Sequence, residues 1–174
     1  MKIWRGLFFL VGFVFMANAH QIVDLNDALE QADSETNVVF DIDGVLIRMM
    51  DNCSLIEGSN SAVQAAKEKC KSVRCLTKTG IQEGDPQVLL QTLRSYGINL
   101  DPIVDSNVLQ KLEDIGATHV EGIVYAGPES KGKVLATIFN EDDTIVFVDD
   151  SVGHVESALK ECPQCKPFHF ISER

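Results

Sequence analysis

Short apolar runs that stop on a carboxylate or a hydroxyl recur along this chain. Asn37-Val-Val-Phe40 runs straight into Asp41, Ser72-Val-Arg-Cys-Leu76 into Thr77, and Thr144-Ile-Val-Phe-Val148 into Asp149-Asp150. Each run has strand length and reads as a buried strand. Between them lie segments with apolar residues at helical spacing. Asp24 can cap a helix carrying Leu25, Ala28, Leu29 and Ala32. Ser59 or Asn60 can cap one carrying Ala62, Val63, Ala66 and Cys70. Asp85 and Pro86 open a third and Gly97 stops it, with Val88, Leu89, Leu93 and Tyr96 as its buried face. Ser130 can cap a fourth with Val134, Leu135, Ile138 and Phe139 inward. Val152, Val155, Ala158 and Leu159 form another stripe. Residues 119–125 read as one strand and 166–171 as the last. Pro102, Asp105 and Asn107 mark turns before a short helix over 108–112. Such alternation predicts an α/β domain around a mostly parallel sheet.

Parallel sheets bind ligands outside the carboxyl ends of their strands, where neighbouring loops converge. Asp41, Asp43, Thr77, Asp149 and Asp150 all fall at such ends. They are far apart in sequence and are expected to share one crevice.

The most specific string is Val38-Val-Phe-Asp-Ile-Asp-Gly-Val-Leu46. Asp and Gly favour turns on their own account, so a bare Asp-x-Asp would say little. Here an apolar strand precedes the pair, and Gly44 gives the backbone a tight exit that lets both carboxylates face one site. One aspartate can attack phosphorus, and the other can protonate the departing alcohol and then activate water. Paired carboxylates also favour a hard cation such as magnesium.

Asp41-Ile-Asp-Gly-Val-Leu46 resembles the first motif of the haloacid dehalogenase (HAD)-like hydrolase superfamily. Three further strings, in the same order as in that family, resemble its other motifs. The resemblance runs from about residue 38 to 171, and it is closest to small exported bacterial HAD-like proteins of unknown function. It implies a Rossmann-like (HAD-like) three-layer sandwich, a magnesium ion and an aspartyl-phosphate intermediate. By position, Asp41 would be nucleophile and metal ligand. Asp43 would be general acid and base, and would also serve the metal through its backbone carbonyl. Thr77 would donate to a phosphoryl oxygen. In Pro128-Glu-Ser-Lys-Gly-Lys133, Lys131 fits the charge-balancing lysine better than Lys133, and its place at a helix start adds partial positive charge. Asp149, with Asp150 second or acting through water, would hold the magnesium, although Asp150 can also serve as a helix cap. Many relatives carry Arg two residues after the threonine, where this chain has Thr79. The spans between motifs leave little or no room for a cap domain.

The chain's first residues read as a separate unit. Lys2 and Arg5, an apolar run over 6–16 and Ala17-Asn18-Ala19 have the order of a secretory signal peptide. The run falls short of the roughly 20 apolar residues that span a bilayer. Residues 1–19 are therefore expected to be removed, leaving 20–174 as one domain, periplasmic or secreted, with no permanent membrane span. The formal charge of −11 argues against nucleic acid as a partner and leaves room for a small phosphorylated substrate. Export would let disulfides persist, and the odd count of five cysteines leaves at least one unpaired or intermolecular. Cys162-Pro-Gln-Cys165 follows a helix instead of opening one, so a structural disulfide or plain thiols suit it better than a redox pair or half a zinc site. A zinc site would need His154 or His169 and a further donor to complete it, and the remaining histidines read as ordinary surface or core residues. The expectation is a magnesium-dependent phosphomonoester hydrolase. Its alternatives are an exported metal- or phosphate-binding protein without turnover and, third, a thiol–disulfide protein using the CxxC.

Overall fold

The computed structural model describes residues 20–50, 52–78 and 86–172. The segment expected to be a signal, together with Thr79 and the helix-starting Asp85, lies outside them. In chain order the elements are β1 (His20–Ile22), α1 (Leu25–Leu29), β2 (Thr36–Phe40), β3 (Ile47–Arg48), β4 (Ser54–Leu55) and α2 (Ser59–Lys69). They continue with β5 (Ser72–Thr77), α3 (Pro86–Ser95), α4 (Ser106–Asp114), β6 (Thr118–Val120) and β7 (Ile123–Tyr125). The last four are α5 (Lys131–Ile138), β8 (Thr144–Asp149), α6 (Val152–Glu161) and β9 (Cys165–Phe170).

Seven strands form one sheet in the order β1-β9-β8-β2-β5-β7-β6. Every pairing in it is parallel except the β6–β7 hairpin. The strands at its centre are buried on both faces, which is why their sequences run apolar without alternation. Val38 and Phe40 of β2 pack with Val146 and Val148 of β8 against α1, α2 and α3. Val39, Ile145 and Phe147 point the opposite way and pack with Leu112, Val134, Leu135 and Ala158 of α4, α5 and α6. The result is an α/β domain with helices on both faces of a mostly parallel sheet, and the described residues between Asp43 and α2 form the short β3–β4 hairpin.

Several local expectations change. Residues 119–125 are a hairpin, turned at Glu121, which takes a positive φ of 50°. Gly122 is required there, because a Cβ would lie 2.4 Å from the Cβ of Leu100. Helix α2 is capped by Gly58, with φ 80°, and not by Ser59 or Asn60. The Ser59 hydroxyl instead donates to the carbonyls of Leu46 and Ile56 and ties the helix to the loop after β2. Val88 and Val152 are exposed, since the buried stripe of α3 runs through Leu89, Leu90 and Leu93 and that of α6 through Val155 and Ala158.

Candidate functional site

Asp41 stands one residue past β2, and its N–H donates to the carbonyl of Val148 on β8 at 2.8 Å. Parallel register therefore puts Asp41 beside Asp149, the last residue of β8. The third member arrives from the helix layer. Ser130 caps α5 by accepting from the Lys133 N–H, so Lys131 becomes the first helical residue. Its side chain runs inward with no exposed surface. The ammonium lies 2.7 Å from Asp41 Oδ1 and 2.7 Å from Asp149 Oδ2, and 5.9 Å from the centre of the Phe147 ring. Gly132 makes this placement possible: a Cβ there would meet the Ser157 carbonyl oxygen of α6 at 2.1 Å. Lys133, the other candidate, is exposed and pairs with Glu129.

Two buried carboxylates thus share one buried cation. Burial pushes the Asp41 carboxyl up to about 7. The Lys131 charge pulls it back, and the Asp149 charge adds to the rise. Burial pushes Asp149 upward too, but its bond to His154, the Lys131 ammonium and the Ser151 N–H together outweigh it, leaving Asp149 below the ordinary range. The difference follows from the donors. Asp149 Oδ1 takes the Ser151 N–H at 2.8 Å and faces His154 Nδ1 at 3.1 Å, whereas Asp41, among the described residues, accepts the Ile42 N–H besides the lysine. Proton occupancy at neutral pH therefore concentrates on Asp41 when no other cation is near.

The remaining expected residues lie around this centre. Asp43 Oδ1 accepts the Met49 N–H at 2.9 Å, which folds the hairpin back over the loop. Asp150 continues past β8 in the opposite pleat direction, and its carboxylate occupies the space above Gly44. A Cβ on Gly44, whose φ is 81°, would stand 2.1 Å from Asp150 Oδ2. Burial and the charges of Asp149 and Asp43 raise Asp150, although Lys131 opposes them. Thr77 closes β5, is buried, and lies on the strand next to β2, where Cys75 pairs with Phe40.

Among the described residues, one group of donors is suited to a metal. Single ligand atoms of Asp41, Asp149 and His154 lie within 4.8 Å of one another. Two carboxylates and an imidazole are an acceptable donor set for a divalent ion. The sequence offered His154 only as a possible partner of the CxxC in a zinc site, not as a neighbour of these aspartates. Its signal in the sequence is faint: a histidine in the first turn of the helix that follows the acid pair, five residues after Asp149. The CxxC takes no part. Cys165 begins β9 and pairs with Ile145, at the opposite end of the strands from Asp149. All five cysteines are free thiols: Cys75, Cys162 and Cys165 are buried, and Cys53 and Cys70 are half-buried. No protein-family model, no curated protein and no solved structure matches this chain.

Proposed function

We propose that the protein is a magnesium-dependent phosphomonoester hydrolase of HAD type, with Asp41 as nucleophile. The single observation that carries this reading is the Asp41–Lys131–Asp149 cluster at the carboxyl edge of the parallel sheet, with both contacts at 2.7 Å. An Asp41 carboxylate oxygen bonds to phosphorus while the ester P–O bond breaks, and Asp43 gives its proton to the departing alcohol. Asp43 then takes a proton from water as the water's oxygen bonds to phosphorus. Phosphate leaves and the Asp41 carboxylate is restored. Lys131 balances charge on nucleophile and phosphoryl group, and the Thr77 hydroxyl donates to a phosphoryl oxygen. Asp41 and Asp149 would hold the cation, with His154 as a nitrogen donor and Asp43 and Asp150 at the rim. Bound there, magnesium would neutralise phosphoryl charge and favour the ionised Asp41 carboxylate.

The test is hydrolysis of an aryl phosphate and a broad panel of phosphomonoesters by the purified protein, with magnesium and with a chelator. Magnesium-dependent turnover that disappears in Asp41→Asn supports the reading. Turnover no greater than that of Asp41→Asn across the panel refutes it. A second reading, a metal- or phosphate-binding protein without turnover, is favoured by the Asp43 carboxylate being engaged by the Met49 N–H. Tight phosphate binding with no hydrolysis would establish that reading instead.

A further inference from the structure

Cys162 and Cys165 stand at the far end of the strands from the carboxylate cluster, and nothing proposed for hydrolysis uses them. Each is fixed by a different element. Helix α6 ends at Cys162, whose N–H still donates to the Ala158 carbonyl at 3.0 Å. Cys165 opens β9 and pairs with Ile145 of β8. Between them Pro163 and Gln164 make a turn, closed by the Cys165 N–H donating to the Cys162 carbonyl at 2.9 Å. Proline suits the second position of such a turn because its φ is set in advance. The Gln164 side chain ties the turn down from outside by donating to the Asn140 carbonyl at 3.1 Å.

A turn of this kind holds its first and fourth Cα atoms within about 7 Å, and a disulfide spans about 4.4–6.8 Å between Cα atoms. The two thiols already meet. The Cys165 S–H donates to the Cys162 sulfur and holds Cys162 below the ordinary thiol range, while the same bond and burial hold Cys165 above it. Both side chains belong to the apolar core under α4, α5 and α6. The other three cysteines lie on the opposite face of the sheet, Cys75 in the core there and Cys53 and Cys70 packed against it. The sheet therefore separates them from this pair. A zinc ion would need two more donors. Among the described residues, the one group of three or more donors able to share an ion is Asp41, Asp149 and His154, at the other end of β8.

We propose that Cys162 and Cys165 are joined as a disulfide while the chain folds in an oxidising compartment, tying the end of α6 to β9, and that the other three cysteines stay thiols. The proposal is independent of the hydrolase reading. The oxidant is a low-molecular-weight disulfide such as that of glutathione. Thiolate is the attacking species, and Cys162 is the thiol that ionises more readily. Its sulfur bonds to one sulfur of the oxidant, the oxidant's S–S bond breaks, and one thiolate leaves. Cys165 then gives up its proton, attacks the Cys162 sulfur and expels the second thiolate. Two protein thiols are oxidised, one disulfide is reduced to two small thiols, and these take the two protons. Closure comes before the pair is covered. In the folded protein Cys162 has no exposed surface and Cys165 very little, which afterwards shields the bond from reductants.

To test this, the full chain is unfolded in urea with a reductant and refolded in a mixture of reduced and oxidised glutathione. Its remaining thiols are then alkylated and its tryptic peptides weighed. Both cysteines fall in one peptide, 161–174, because trypsin does not cut between Lys166 and Pro167. That peptide should carry no alkyl group and be two hydrogens lighter than the dithiol, while Cys53, Cys70 and Cys75 should each be alkylated. The oxidised protein should melt about 4–7 °C above its reduced form. Cys53→Ser should keep that difference and Cys165→Ala should lose it. Alkylation or a glutathione adduct at Cys162 or Cys165, a link from either to another cysteine, or equal melting of the two forms overturns the proposal. The mass measurement needs only the parent protein, so it decides the pairing even where Cys165→Ala does not fold.

Discussion

Lys131 has no exposed surface, and both of its ammonium contacts are to carboxylates that are themselves buried. Removing a charge from such a cluster leaves its partners uncompensated in a medium that solvates them poorly. Lys131→Met should therefore lower the stability of the metal-free protein at pH 8 by roughly 3–5 kcal/mol, measured by urea unfolding. A change below about 1 kcal/mol, the worth of a surface pair, would contradict the geometry. Asp41 gives a prediction of definite sign. Its folded value, about 7, stands above its ordinary 3.8, so folding takes up protons between those values. Its contribution to stability is whole below pH 3.8 and is lost as pH rises through about 7. In a chelator, the melting temperature should fall between pH 5 and 8, and Asp41→Asn should flatten that fall. At this scale the sequence was informative where a residue type was forced by its neighbours. Asp41, Lys131 and Asp149 each close or open an element whose limits the apolar pattern marks. His154 was not legible, because its role depends on the side-chain direction from the first turn of α6, which no spacing rule reveals.

Helices α5 and α6 deliver Lys131 and His154 from one side of the sheet, and they touch through a glycine. Gly132→Ala would put a Cβ against the Ser157 carbonyl oxygen, now 2.1 Å from that position, and backbone must move to admit it. We expect a loss of about 1–3 kcal/mol in urea unfolding, with a fall in kcat, because Lys131 moves with its helix. Full stability and full activity would show that the two helices are not held so closely. Elements with strong caps and a clear stripe were readable in advance: Asp24 caps α1 and Ser130 caps α5 as their sequences indicate. The short pieces were not. His20-Gln-Ile22 becomes strand β1 only through pairing with β9, and the β3–β4 hairpin has two residues on each side. Neither length carries a period. The hairpin at Glu121 was hidden for the same reason, since each of its strands is three residues long.

At the scale of the whole molecule, parallel strands bring the ends of β2, β5 and β8 to one edge, and that convergence is what the alternating sequence made legible. It also concentrates negative charge there, in a protein whose formal charge is already −11. A divalent ion that binds only the folded form should stabilise it by mass action, by about 2.7 kcal/mol at a hundredfold excess over Kd. Magnesium should therefore raise the melting temperature of the parent protein. Asp41→Asn should abolish that rise, and His154→Gln should weaken the affinity by about tenfold or more. An unchanged magnesium response in Asp41→Asn would move the ion elsewhere. The most direct measurement of the central claim is chemical trapping of the phosphorylated enzyme. The protein is mixed with magnesium and a phosphomonoester that it turns over, then quenched in acid, reduced with borohydride and analysed by peptide mass spectrometry. An aspartyl phosphate is reduced to homoserine, so homoserine is predicted at position 41, only with substrate, and absent from Asp41→Asn. Turnover with aspartate intact at position 41, or homoserine at another carboxylate, would contradict the account.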